Sequence, residues 1–130
     1  PTRRSSDLSL MFSVKLIESN ETVGHIQLLG IDRLNMSVRI GRVIVGEEKY
    51  RSKGIGLEMV KAVLDIAFNK LNLHRVDLCV FDFNKPAIAC YKKAGFTIEG
   101  NLRECRKINE QYWSLLNLSI LEAEYRNSTI

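Results

Sequence analysis

The spacing of apolar residues changes sharply along this chain. Up to residue 45 apolar side chains come in short runs or alternate, over 10–17 (LMFSVKLI), 23–31 (VGHIQLLGI) and 37–45 (SVRIGRVIV). Such segments read as strands. Residues 18–22 (ESNET) and 32–36 are polar and turn-like, so the first two strands are expected to form a hairpin. The third alternates and then turns apolar, the pattern of a strand buried at its end. Over 54–71 the period becomes helical, with Met59, Val60, Val63, Leu64, Ala67 and Leu71 on one face. Residues 73–83 return to alternation, with Val76, Leu78 and Val80 on one side. A second helix is expected over 86–94, capped by Asn84, with Pro86 in its first turn and Gly95 as its stop. Residues 96–99 open another strand that extends through the charged 103–107, and 112–121 (YWSLLNLSIL) is the last. Strands interleaved with two helices predict an α/β (α+β) fold with a sheet of mixed direction.

Composition bounds the rest. A chain of 130 residues, 45% hydrophobic and 26% charged, suits one globular domain with its own core and argues against disorder. No run of about 18 apolar residues occurs, and the opening PTRRSSDLSL lacks the apolar stretch of a secretory signal. Nineteen basic against fifteen acidic residues leave a net charge of +4, which reads as an ordinary solvated surface. Without a basic–aromatic stripe, no nucleic acid and no membrane partner is expected. Three cysteines, Cys79, Cys90 and Cys105, with no CxxC, exclude a disulfide framework and a cysteine zinc site. Cys79 and Cys90 read as small core residues, and a reduced, cytoplasmic setting fits. His25 and His74 share no ligand spacing, so no metal is expected.

One junction points to chemistry. Across 43–56 (VIVGEEKYRSKGIG) an apolar strand ends, a charged loop follows, and a glycine-containing turn opens a helix. Gly54 and Gly56 let the backbone approach a ligand closely, the helix start offers unpaired N–H groups, and Arg51 and Lys53 add positive charge. Together they suit a phosphate or pyrophosphate. Neither a P-loop nor a complete GxGxxG is present, and on this segment alone the glycines serve equally well as a tight turn.

The segment 84–100 (NKPAIACYKKAGFTIEG) adds the second motif. Arg51-Ser52-Lys53-Gly54-Ile55-Gly56 fits the pattern R/Q-x-x-G-x-G/A. Asn84, Ala87, Tyr91, Lys93, Gly95 and Phe96 fit N-x-x-A-x-x-x-Y-x-K-x-G-F. With both motifs the chain resembles the GCN5-related N-acetyltransferase (GNAT) family, in the branch of ribosomal-protein N-terminal-amine, spermidine and amino-sugar acetyltransferases. The resemblance runs from about residue 23 to 125. It implies transfer of an acetyl group from acetyl-CoA to a primary amine by direct attack, on a mostly antiparallel sheet with a V-shaped splay between its central strands. It assigns the CoA pyrophosphate to Arg51, Ser52, Lys53, Gly54, Ile55 and Gly56, and the pantetheine arm to the main chain of Val43, Ile44 and Val45. A bulge at the splay would seat the thioester, with a backbone N–H as oxyanion donor. Asn84 would hold the pantetheine while also serving as N-cap. Tyr91 would protonate the leaving thiolate or, on the plainer reading, pack beneath its helix. Lys93 reads as a surface charge and Phe96 as a core aromatic.

The resemblance leaves gaps. Relatives often place a glutamate early in the third strand as general base, whereas 37–42 (SVRIGR) holds no carboxylate. Asp32, Glu99, His25 or a chain of waters are the alternatives, and Arg39 and Arg42 could meet an acidic acceptor. The family's first strand and helices have no counterpart here. Residues 1–9 therefore read as tag, linker or remnant, and 10–130 as the domain. Missing wall elements would expose sheet surface, so a homo-oligomer is expected. A non-catalytic acetyl-CoA-binding module acting through a partner is the alternative function.

Overall fold

The computed structural model describes residues 9–15, 19–45 and 54–128. Six strands form one sheet: β1 (Ser9–Lys15), β2 (Thr22–Asp32), β3 (Ser37–Val45), β4 (Arg75–Phe81), β5 (Thr97–Ile108) and β6 (Gln111–Leu121), in the order β1-β2-β3-β4-β6-β5. Helix α1 (Ile55–Asp65) joins β3 to β4, α2 (Lys85–Ala94) joins β4 to β5, and a short α3 (Glu122–Ser128) ends the described chain. All pairings are antiparallel except β3 with β4.

The expected hairpin is present, with Ser9 opposite Leu29 and Lys15 opposite Thr22. The turn from β2 to β3 is fixed by Asp32, whose carboxylate accepts hydrogen bonds from the Asn35 backbone N–H (3.1 Å) and side-chain amide (2.8 Å). Along β3 the register then shifts. Gln27 faces Arg42 while Leu28 faces Ile40, which leaves Gly41 as an extra residue, a β-bulge. A Cβ at Gly41 would fall on the Leu29 side chain, so a larger residue at this position would have to displace it. The bulge also moves the alternation by one residue. Val38 and Ile40 face the core before it, and Val43 packs against the core after it, opposite Ile26.

Residues Met59, Val60, Val63, Leu64 and Ala67 are buried, as the helical period predicts, against Ile26, Leu28, Val38, Ile40, Val76, Leu78 and Val80 of the sheet. The helical run does not continue as a plain α-helix to Leu71. It widens over Ile66–Lys70 into a π-helical turn closed by the Leu71 N–H donating to the Ile66 carbonyl at 2.9 Å. This turn places Phe68 fully inside, 5.0 Å from the Tyr125 ring of α3. Helix α3 lies beyond the elements expected from the sequence. Its EAEYRNS run is too short and polar to show a period, and it is held by Tyr125 on Phe68 and by Arg126, which donates to the Asn69 side chain and the Phe68 carbonyl. No helix among the described residues is long and apolar enough to cross a membrane.

Truncating Phe68 to alanine empties the centre of this packing. We expect a loss of about 3–5 kcal/mol in urea unfolding, against a change within about 0.5 kcal/mol for Leu34→Ala. Leu34 is 90% exposed in the β2–β3 turn.

Candidate active site

Strands β3 and β4 pair only from Ser37 opposite Arg75 to Ile40 opposite Leu78. Beyond that point β3 runs on to Val45 against β2 and β4 runs on to Phe81 against β6. The two strands part as a V, and the bulge at Gly41 sits where they separate. A cleft of about 590 Å³ opens there. It is lined by Val43 of β3, Gly54, Gly56, Leu57 and Val60 of the α1 entry, Cys79, Val80 and Phe81 of β4, and Leu115 of β6. Asn84, Pro86, Ala87, Ala89, Cys90, Tyr91 and Lys93 complete it from the α2 side.

Of the residues singled out from the sequence, the cleft gathers Val43, Gly54, Gly56, Asn84 and Tyr91. Gly54 is the α1 N-cap and adopts φ +78°, a left-handed conformation that favours glycine, with no neighbour within 4 Å of where a Cβ would stand. No side chain caps the helix, so its first-turn N–H groups face outward at the positive end of the dipole. Ile55 differs from its neighbours and packs its side chain against the core. The main chain of Ile44 and Val45 lies opposite His25 and Gly24 of β2. Arg51, Ser52 and Lys53 lie outside the described residues.

Asn84 caps α2 as expected, its Oδ1 accepting from the Ala87 N–H at 3.3 Å. Gly95 stops the helix, donating to the Lys92 carbonyl at 3.0 Å. Tyr91 is half-buried, with its ring 5.8 Å from that of Phe96. Burial, reinforced by Cys90 beside it, pushes its phenol up to about 12. A group so placed keeps its proton across the physiological range. Phe96 is buried, as expected.

Other placements differ from the sequence reading. Cys79 and Cys90, expected in the core, are half-buried and line the cleft. Cys79 alternates with buried Leu78 and Val80, and so points away from the helices. Its Sγ accepts from Arg39 Nη1 and meets Asn117 Oδ1, both at 3.4 Å. Cys90 sits on α2 facing the start of α1, within 4.0 Å of a Cβ built on Gly56, and burial raises its thiol pKa. Lys93 is exposed yet borders the cleft. Phe81 and Leu115 were not singled out, although the alternation that placed Val80 inward also placed Phe81 on the opposite face.

The three side chains considered as base lie away from the cleft lining. Asp32 holds its turn, and hydrogen bonds from Asn35 lower its pKa. His25 is exposed on β2, with Nδ1 3.4 Å from Ser13 Oγ. Glu99 receives both Arg75 Nη groups at 2.8 Å and Asn117 Nδ2 at 3.0 Å. Hydrogen bonds from Arg75 above all, and then from Ser119, hold its carboxyl down at about 2. Arg39 is likewise engaged: Nε and Nη2 donate to the two oxygens of Asp77 at 3.2 and 3.1 Å. Among the described residues no group of three His, Cys, Asp or Glu could hold a metal ion.

The sequence matches the acetyltransferase (GNAT) family over residues 3–96. The chain belongs to that family. It is 31% identical over 105 residues to the spermidine N(1)-acetyltransferase of Escherichia coli strain K12, an alignment covering 81% of this chain and 55% of that enzyme. It is 29% identical over 110 residues to a putative ribosomal N-acetyltransferase of Bacillus subtilis, covering 85% of this chain and 59% of the relative. The chain thus spans little more than half the length of these GNAT relatives. A crystal structure of the Vibrio cholerae spermidine/spermine N-acetyltransferase SpeG in complex with manganese ions superimposes with a TM-score of 0.84 at 28% identity. That match covers 94% of this chain and 70% of SpeG. The mixed, mostly antiparallel sheet with its splay is the GNAT fold, and acetyl-CoA is the acyl donor that the family implies.

The Glu99 ion pair sets an acid-stability prediction. Its carboxyl titrates near 4.5 when unperturbed and near 2 in the fold, so the stability it contributes is complete above pH 4.5 and is lost as pH falls towards 2. Glu99→Gln should show a smaller drop in urea midpoint than the parent between about pH 5 and pH 2.5.

Proposed function

We propose that the chain transfers an acetyl group from acetyl-CoA to a primary amine at the splay, with Tyr91 as general acid. The observation that carries this reading is the half-buried, proton-retaining Tyr91 in the same cleft as the α1 helix start. The cleft suits the donor: a largely apolar opening reaches an uncapped helix N-terminus where glycine keeps the approach clear. Bound there, acetyl-CoA would supply the thioester and carry off the thiolate.

The chain's own groups take the remaining tasks. Backbone N–H groups at Gly54, Ile55 and Gly56 hold the pyrophosphate, with Arg51, Ser52 and Lys53 supplying charge and further donors. The main chain of Val43, Ile44 and Val45 lies along the edge that β4 has left, and pairs with the pantetheine amides as an added strand would. Asn84 keeps Oδ1 on its cap and offers Nδ2 to the same arm. A main-chain N–H at the bulge polarises the carbonyl. Tyr91 donates its proton to the departing sulfur. The carboxylates considered as base are ion-paired or engaged in a turn, so the amine loses its proton to water.

Residues 10–130 act as one domain in this reading, supported by a core that extends from Phe12 of β1 to Tyr125 of α3. The primary amine as acceptor is supported by the relatives, which include spermidine and ribosomal N-acetyltransferases. Self-association belongs to the same proposal, since β1 is an end strand of the described sheet and exposes Leu10 and Met11. Light scattering after size exclusion at micromolar concentration is expected to give more than the monomer mass.

Thiol release from acetyl-CoA across a panel of amines tests the activity. Tyr91→Phe should lower kcat by about 10²-fold. Because the phenol loses its proton only near 12, the parent's kcat should show no alkaline decline from Tyr91 between about pH 7 and pH 10. An unchanged rate in Tyr91→Phe rejects the assignment, and acetyl-CoA binding without thiol release favours the non-catalytic module.

A further inference from the structure

The face of the sheet turned away from α1 and α2 carries an aromatic group that the cofactor assignments leave unused. On β4, Val76, Leu78 and Val80 enter the helix-covered core, so Arg75, Asp77, Cys79 and Phe81 occupy the other face. Leu115 pairs with Phe81 across β4 and β6 and is buried without joining the main core. Just beyond this pair three rings meet. Phe81 and Phe83 stack at 5.4 Å with an interplanar angle of 10°, and Trp113 stands edge-on to both at 5.1 Å. Phe81 lines the cleft, so the group is continuous with it, while Phe83 is 58% exposed.

Resting on the transferase reading above, we propose that Phe81, Phe83 and Trp113 form the acceptor-side wall of the cleft and select primary amines that carry a flat apolar group. The cofactor side is set by the α1 start and by α2, which leaves the opposite face of the V for the amine. Four charged groups on that face pair with one another, Arg39 with Asp77 and Arg75 with Asp77 and Glu99, while Arg106 stands opposite Trp113 across β5 and β6. They leave the rings as the recognition surface at the open end. A three-ring surface with one outer ring open to solvent gains from stacking with an aryl group, and the Asp77 and Glu99 carboxylates of this face are already held by arginines.

Trp113 is the sole tryptophan of the chain, so its emission reports on the wall directly. The full chain with CoA is titrated with 2-phenylethylamine and with spermidine, and turnover of 2-phenylethylamine, spermidine and ethanolamine is measured by thiol release. The expected result is a saturable change in Trp113 emission with 2-phenylethylamine and a higher kcat/KM for it than for either other amine. Phe83→Ala, at an exposed position that the fold tolerates, should cut the selectivity for 2-phenylethylamine over ethanolamine roughly 10-fold, with the KM for acetyl-CoA unmoved. Thiol release with spermidine preferred and Trp113 silent overturns the wall and leaves the transferase standing. A saturable Trp113 response without release of thiol from any amine supports the wall and overturns the transferase. Equal losses for all amines in Phe83→Ala overturn the wall as a selector.

Discussion

The parting of β3 from β4 is the constraint on which the site depends. Two parallel strands that paired along their full length would close the sheet and leave no gap between α1 and α2. Pairing ends at Ile40 and Leu78, and one residue later Gly41 bulges out of the β2–β3 ladder. A bulge bends its strand and raises its twist, which carries the end of β3 with β2 and away from β4. Glycine leaves room there for the Leu29 side chain, which any larger residue would have to displace. The same bulge turns Val43 into line with Ile26, so the strand remains anchored to the core while its edge is left free. An open edge in a sheet interior is costly unless something pairs with it. A ligand with amide groups of its own is what such an edge fits, which ties the backbone defect to the donor proposed for it.

The closed end of the V has to resist that opening, and polar groups do part of this. Arg39 on β3 and Arg75 on β4 share Asp77, and Arg75 reaches on to Glu99 of β5. Asn117 of β6 lies between, donating to Glu99 and meeting Cys79. The chain of contacts crosses the strands from β3 to β5 on the face without helices. Each pair is partly exposed and worth little by itself, but a shared network is stiffer than its separate members. Within it Glu99, held down at about 2 by a paired guanidinium, is a poor base near neutrality.

Much of this was legible in the sequence, and the parts that were not share a cause. The six strands and both longer helices follow from apolar spacing, and the caps of α2 follow from Asn84, Pro86 and Gly95, because each of these signals is local. The run 37–45 was visibly alternating and then apolar, but the change of phase at Gly41 depends on how β2 lies beside it. The π-helical turn at Ile66–Lys70 and α3 depend on Phe68, Tyr125 and Arg126 meeting from distant points of the chain. The site divides in the same way. Gly54, Gly56, Asn84 and Tyr91 stand in linear motifs, whereas Phe81, Leu115 and Trp113 converge only through the β4–β6 pairing. Arg39, considered for an acidic acceptor, is engaged by Asp77, which lies one strand away and not one turn away.

Strand alternation at an unpaired edge has a further consequence. In a closed sheet, neighbouring residues of a strand serve different faces that never communicate. At the end of β4, Val80 and Phe81 belong to opposite faces yet line one cleft, because β3 no longer separates them. Two ligands can therefore approach from the two faces and meet in the gap without a hinge or a moving lid. That geometry suits direct attack, in which donor and acceptor are bound together, since the reacting atoms can be brought into contact by placement alone. It also gives the two faces of the gap different surfaces: the helix-covered side carries the α1 start together with Asn84 and Tyr91 of α2 and its cap, and the open side carries the Phe81, Phe83 and Trp113 rings.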